Sequence, residues 1–320
     1  MSYNVESTQI AHTADFEEYM IFEYTIEEHK KDKHRFITIT GTAEKVNNLI
    51  IPAEIEGIPV EAIGNHSFSG RYDITTVNIP DSIKTIYGFA FHNCRNLKKI
   101  TLSDSIDDYY DGVIRQCDNL TDIEISIKRG WYEVIRNFLA DNDKTLRFLI
   151  RSSEFTSCLI FPEYVYDFAE NTMARTIQFS IGGSGMIYRE CVDRRLINYR
   201  EYDKLFEKAV IDGNAISEDI AIGRVLFPYE LDENYRKKYE DYIKKNSRSI
   251  IDRIAIETET DEQSELSNLN LIKKLIPYFS GDDIDYAIKR AADKKLTLLN
   301  ALLIENSAHS TVSTSFDFTF

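Results

Sequence analysis

Apolar residues in the first half of the chain follow two patterns at once. Over short stretches they alternate with polar residues, as in Thr76-Val77-Asn78-Ile79 and Lys99-Ile100-Thr101-Leu102, which is the period of a strand buried on one side. Over longer distances the stretches themselves repeat. TTVNIPDSIKTIYGFAFHNCRNL, residues 75–97, is followed by KKITLSDSIDDYYDGVIRQCDNL, residues 98–120, and matching positions differ by 23. Val77 corresponds to Ile100, Ile79 to Leu102, Phe91 to Ile114, Cys94 to Cys117 and Leu97 to Leu120. Ile63, Phe68 and Ile74 extend the series one unit back. Ile51-Pro52, however, precedes Ile79-Pro80 by 28, so the first unit carries a five-residue insertion. Ile123 and Ile125 open one more unit, after which IKRGWYEVIRNFLADND ends the pattern with a helical segment.

A 23-residue unit with one short strand cannot bury its apolar side alone, and stacking equal units solves that. The pattern therefore predicts a solenoid with neighbouring strands ~4.8 Å apart. Val77, Ile79, Ile100, Leu102, Ile123 and Ile125 point inward, Phe68 and Phe91 fill the wide part of each coil, and Gly64 and Gly88 lie near bends. The alternate residues, Asn48, Ile50, Thr76, Asn78, Lys99, Thr101, Asp122 and Glu124, point outward. They form a ribbon that turns from neutral to acidic along the axis, with Lys99 its single base, and they are the candidate partner-binding residues.

The I-P after the strand, the I-G or Y-G bend, S-F or A-F, then N-C and N-L, resemble the BspA-type leucine-rich repeat over about residues 45–126, with a degenerate continuation to about 180. That resemblance implies a right-handed solenoid whose strand face contacts a ligand, used for adhesion or protein binding, and implies no catalysis.

Beyond residue 147 the periodicity changes. Residues 147–197 alternate β-rich pieces with turn signals, and from about 198 the period is helical. Ser217, Asp232, Ser247 and Ser280 are expected helix caps, Ser280 forming a capping box with Asp283; Ile284, Ala287, Ile288 and Ala291 share one stripe. The closing DIDYAIKRAADKKLTLLNALLIEN resembles an ankyrin-type helix pair. The end of the chain is rich in Ser and Thr and carries Phe316, Phe318 and Phe320 in alternation, a second candidate contact through strand addition.

Composition narrows the function. The 320 residues are 43% hydrophobic and 28% charged, and the net charge is -15. The acidity is heaviest before residue 130, and no basic face is visible for phosphate-dominated nucleic-acid binding. No long apolar run suggests a membrane span, and residues 1–20 lack a leader-like pattern, so a cytoplasmic location is expected. Cys94, Cys117, Cys158 and Cys191 form no C-x-x-C pair and read as reduced thiols, although Cys94 and Cys117, one coil apart, fall inside disulfide range. IGGSGM at 181–186 lacks the phosphate-loop lysine and the last glycine of a nucleophile elbow, and reads as a turn around Ser184. The six histidines show no i, i+4 pair, and Asp104, Asp107, Asp108 and Asp111 lack calcium-loop order and read as a solvated loop.

The resulting expectation is an α+β chain: a cap over 1–44, a short leucine-rich repeat solenoid over 45–146, a mixed segment over 147–197, a helical module over 198–306 and a tail over 307–320. Its expected role is that of a non-enzymatic intracellular scaffold without cofactor, binding a protein partner of basic character. The alternatives are a surface adhesin-like or secreted repeat protein and a particle or phage-associated structural component.

Overall fold

The computed structural model describes residues 9–12, 21–30, 32–171, 176–260 and 265–312. The chain divides into two compact units, residues 1–212 and 213–320.

Unit one is the solenoid with its caps. Strands β1 (Gln9–His12), β2 (Ile21–Glu28) and β3 (Arg35–Thr42) form an antiparallel meander. The coils follow with β4 (Asn48–Ile50), β5 (Glu54–Ile55), β6 (Ile58–Ile63), β7 (Thr76–Asn78), β8 (Thr85–Ile86), β9 (Lys99–Ser103), β10 (Asp108–Tyr109) and β11 (Asp122–Ser126). One parallel sheet joins β4, β7, β9 and β11, and the return paths β6, β8 and β10 line up in the other sheet behind β3. The register reproduces the sequence period: Thr76 pairs with Lys99 and Lys99 with Asp122, while Asn48 pairs with Thr76 across the 28-residue step. The insertion is accommodated in the β5–β6 hairpin, where Ile55 faces Ile58.

Every strand residue expected inside is buried, and Phe68 stacks on Phe91 at 5.4 Å with rings 7° apart. The bends differ from expectation. Gly64 and Gly88 have ordinary φ; they are needed for close approach, since a Cβ at Gly64 would lie 2.9 Å from the Ile39 carbonyl. The left-handed positions recur elsewhere at intervals of 23: His66, Phe89 and Gly112 at φ 57°, 58° and 75°, and Gly70, Asn93 and Gln116 at 72°, 57° and 61°.

After β11 the return path is α1 (Glu133–Asp141), whose Val134, Ile135, Phe138 and Leu139 are buried. The solenoid does not stop there. β12 (Leu146–Arg151) pairs in parallel with β11 at a step of 25, Asp122 against Arg147, so the mixed segment begins with a fifth ribbon strand. β13 (Thr156–Phe161) then turns back antiparallel and closes the sheet. The hairpin β14 (Val165–Asn171) and β15 (Thr176–Gly182), and helices α2 (Gly185–Arg189), α3 (Tyr199–Lys204) and α4 (Phe206–Asp212), complete the unit. α3 and α4 thus lie with the solenoid, in place of the helical module expected from 198. The tie is specific: the Tyr202 hydroxyl donates to the Ile160 carbonyl at 2.6 Å and accepts from the Ile160 N–H at 2.9 Å, and Tyr199 pairs with Ser157 at 2.8 Å.

Unit two is helical: α5 (Asn214–Leu226), α6 (Glu233–Lys245), α7 (Ser247–Thr260), α8 (Glu265–Leu275), α9 (Gly281–Asp293) and α10 (Thr297–Val312). Asp232 caps α6 by accepting from the Asn234 N–H, and Ser280 and Asp283 form the capping box of α9. Ser217 is no cap. It lies inside α5, where its hydroxyl donates to the Gly213 carbonyl at 2.8 Å, and Ser247 is the first residue of α7. Ile284, Ala287 and Ala291 are buried, and Asp252 on α7 binds Tyr286 and Arg290 on α9 at 2.8 and 2.6 Å.

Candidate interaction surface

Strand alternation sets Asn48, Thr76, Lys99, Asp122 and Arg147 in one outward row and Ile50, Asn78, Thr101, Glu124 and Leu149 in a second. All eight residues expected on the ribbon are brought together there. At the first coils the surface is neutral. Asn48 and Asn78 are exposed, Ile50 is 46% exposed at the edge strand, and the Thr76 hydroxyl donates to the Asn48 side chain at 2.5 Å.

The later coils correct the acidic strip. Arg147 and Arg151, on the strand that lies past the last 23-residue step, bind Asp122 and Glu124; Arg151 reaches Glu124 at 2.8 Å and Lys99 reaches it at 2.8 Å from the other side. Part-burial alone would raise the Glu124 carboxyl, but the two cations outweigh it and hold the group below its ordinary value. The ribbon is therefore charge-paired, and it offers no unbalanced acidity to attract a basic partner. The alternation of Leu146, Phe148 and Ile150 with Arg147 and Arg151 was the available signal; the 25-residue step hid it from a search at 23.

In the carboxylate run Asp107, Asp108 and Asp111 are exposed as expected, and Asp104 alone is corrected. Asp104 is fully buried and accepts the backbone N–H groups of Lys128, Arg129 and Trp131 at 2.9, 2.6 and 3.1 Å, fixing the turn into α1. Asp107 pairs with Arg129 and Asp111 with Arg115. Among the described residues no group of three or more His, Cys, Asp or Glu is arranged to hold a metal.

Ser184 is buried, and its N–H donates to Asp212 at 2.7 Å. A Cβ at Gly185 would lie 2.3 Å from the Pro162 carbonyl, so the glycines of IGGSGM let that turn lie against residues 162–164. A cleft of about 480 Å³ beside it is lined by Arg136, Leu139, Tyr164, Met186, Arg189 and Glu190. Its one buried charge, Arg189, donates all five N–H groups to the carbonyls of Leu139, Pro162, Gly185, Asn142 and Lys144, which leaves none for a ligand. None of the four cysteines is in a disulfide, and all four are buried. His29 and His34, given no role by the sequence, both reach the Glu61 carboxylate, at 3.2 and 2.9 Å. Phe316, Phe318 and Phe320 lie outside the described residues.

A stack of parallel strands at a 23-residue period, with one sheet exposed and aromatic rings laddered inside, defines a β-solenoid repeat protein. Residues 42–160 match the BspA type leucine rich repeat region in six copies. The helical second unit falls outside the match. No curated protein matches the chain. Among solved structures, a leucine rich cell surface protein from Faecalibacterium prausnitzii is 26% identical, over 38% of this chain and 34% of its own, with a TM-score of 0.27. A leucine-rich repeat protein from Bacteroides capillosus is also 26% identical, over 33% and 83%, with a TM-score of 0.28. The pneumococcal vaccine antigen PcpA is 15% identical, over 38% and 41%, with a TM-score of 0.23. This chain thus spans about a third of the Faecalibacterium protein's length.

Proposed function

We propose that the chain is a non-enzymatic protein-binding scaffold and that the ribbon over β4, β7, β9 and β11 is its contact surface. The observation that supports this is the neutral end of the ribbon, where Asn48, Ile50 and Asn78 are exposed and Thr76 and Thr101 half-buried, on strands held in register by the neighbouring coil. Such a surface loses little conformational entropy on binding. Its selectivity rests on hydrogen bonding and shape, because the acids beyond it are already paired. Capture from a host lysate with wild type and with Thr76→Arg/Thr101→Arg tests this. A partner held by wild type at both low and high salt and lost by the double variant supports the ribbon, and a partner retained by the variant refutes it. The three tail phenylalanines are a second proposed contact, tested in the same capture by ending the chain before Ser313.

Location is a separate proposal. The Faecalibacterium protein is described as a cell-surface protein, and a surface role is the alternative to a cytoplasmic scaffold for this chain as well. Protease shaving of intact cells separates them, since a surface protein is removed and a cytoplasmic one is protected.

A further inference from the structure

Equivalent side chains of adjacent coils lie at a constant spacing. His66 to Phe89, Phe68 to Phe91 and Tyr87 to Tyr110, each 23 apart in sequence, have ring centroids 5.0, 5.4 and 5.2 Å apart. Cys94 and Cys117 are related by the same step. The backbone ladder leading to them is in register, with Phe91 N–H on the Val113 carbonyl and Asn93 N–H on the Arg115 carbonyl, both at 2.9 Å. Their Cα atoms are therefore about 5 Å apart, inside the range that a disulfide bridges. The thiols are also parallel: Cys94 Sγ donates to the Phe68 carbonyl at 3.1 Å and Cys117 Sγ to the Phe91 carbonyl at 3.0 Å. Cys117 thus already points toward the Cys94 coil, whereas the Cys94 thiol has to turn back from the preceding coil, and both thiols give up their carbonyls when the bond forms.

We propose that Cys94 and Cys117 are a disulfide site between adjacent coils, closed by thiol–disulfide exchange with a low-molecular-weight disulfide such as oxidised glutathione. The Cys94 thiolate attacks one sulfur of the oxidant, forming a mixed disulfide and expelling one thiolate. Cys117 then attacks the Cys94 sulfur, forming the Cys94–Cys117 bond and expelling the second. Two protons leave the protein thiols and two electrons pass to the oxidant, which becomes two thiols. Both thiols are fully buried, so exchange takes place during folding or from an opened coil.

Trypsin places each cysteine in its own peptide: 85–95, 116–128, 152–175 and 190–194. The full chain is refolded from urea in a glutathione redox buffer and, in parallel, folded chain is incubated with oxidised glutathione in sub-denaturing urea; free thiols are then alkylated under denaturing conditions and the digest is mapped without reduction. The expected result in either arm is a linked 85–95/116–128 pair, with 152–175 and 190–194 alkylated and a higher urea midpoint than that of the reduced protein. The link and the rise are absent in Cys94→Ser. Four alkylated cysteines in oxidant-treated protein of native circular dichroism, or a link through Cys158 or Cys191 instead, overturn the proposal. The result is independent of whether the ribbon binds a partner.

Discussion

Arg189 shows how a single side chain closes this solenoid. Burial pushes its guanidinium down to about 10, yet it stays charged at neutral pH because five carbonyl oxygens face its five N–H groups. An ammonium group is a point donor and cannot reach carbonyls from α1, the turn after it and residues 162 and 185 together. Arg189→Lys is therefore expected to cost about 3 kcal/mol, read as a lowered urea midpoint with unchanged slope. Asp73 works at the opposite end of the coils. The Arg71 fork at 2.6 and 2.8 Å and the Val46 N–H at 2.7 Å hold its carboxyl well below the ordinary value of 3.8. Between the two values the unfolded chain binds the proton and the native one does not, so the stabilisation is full above 3.8 and is lost as pH falls toward the native value. The stability gap between wild type and Asp73→Asn should accordingly be constant from neutral pH down to about 5 and shrink below 4, in urea titrations across that range. A gap that widens on acidification would contradict this assignment.

At the scale of the coil, the bends decide which substitutions the repeat accepts. Gln116 holds a left-handed φ of 61° at the position where Gly70 stands two coils earlier, and an L side chain is strained there by roughly 1–2 kcal/mol. Gln116→Gly should raise stability by about 0.5–1 kcal/mol once the greater freedom of the unfolded glycine is subtracted. Gly112→Ala should do the reverse. Besides its φ of 75°, a Cβ there would fall 2.4 Å from the Phe89 ring, which is stacked on His66, so a loss of about 2–3 kcal/mol is expected from overpacking and backbone strain together. Thermal melts of the two variants beside wild type check both signs. These bends also mark the limit of what the sequence discloses about the element. The period of 23 fixes which residues are inside and which pair, because stacking forces equal positions into register, and it located Val77, Ile100 and Ile123 correctly. It does not disclose φ, since His66, Phe89 and Gly112 are chemically unlike residues performing one backbone task. It also failed where α1 replaced a return strand, and with the lost register went Arg147 and Arg151, the two residues that neutralise the ribbon.

At the scale of the molecule, the sequence suggests a break near 198, where apolar spacing becomes helical, whereas the compact unit runs to 212. Periodicity reports local structure, but a unit boundary is set by which contacts cross it, and here they are carried by hydroxyls and carboxylates that no period reveals. Tyr202 satisfies both the N–H and the carbonyl of Ile160 in the closing strand of the ribbon sheet, Tyr199 meets Ser157, and Asp212 accepts from the Ser184 N–H. A chain ending at 197 leaves those groups of β13 without partners and uncovers the buried side of a terminal strand, at about 1–3 kcal/mol for each buried group left unsatisfied. A chain ending at 212 keeps all of them. Residues 1–212 should therefore express as a soluble monomer with one cooperative urea transition and a strand-dominated circular dichroism spectrum, whereas 1–197 should aggregate or unfold at markedly lower urea. If both truncations unfold at the same midpoint, α3 and α4 are dispensable to the solenoid and the boundary belongs at 198 after all. If 1–212 also holds whatever partner the full chain captures, and loses it on Thr76→Arg/Thr101→Arg, the ribbon binds without the helical unit and the tail.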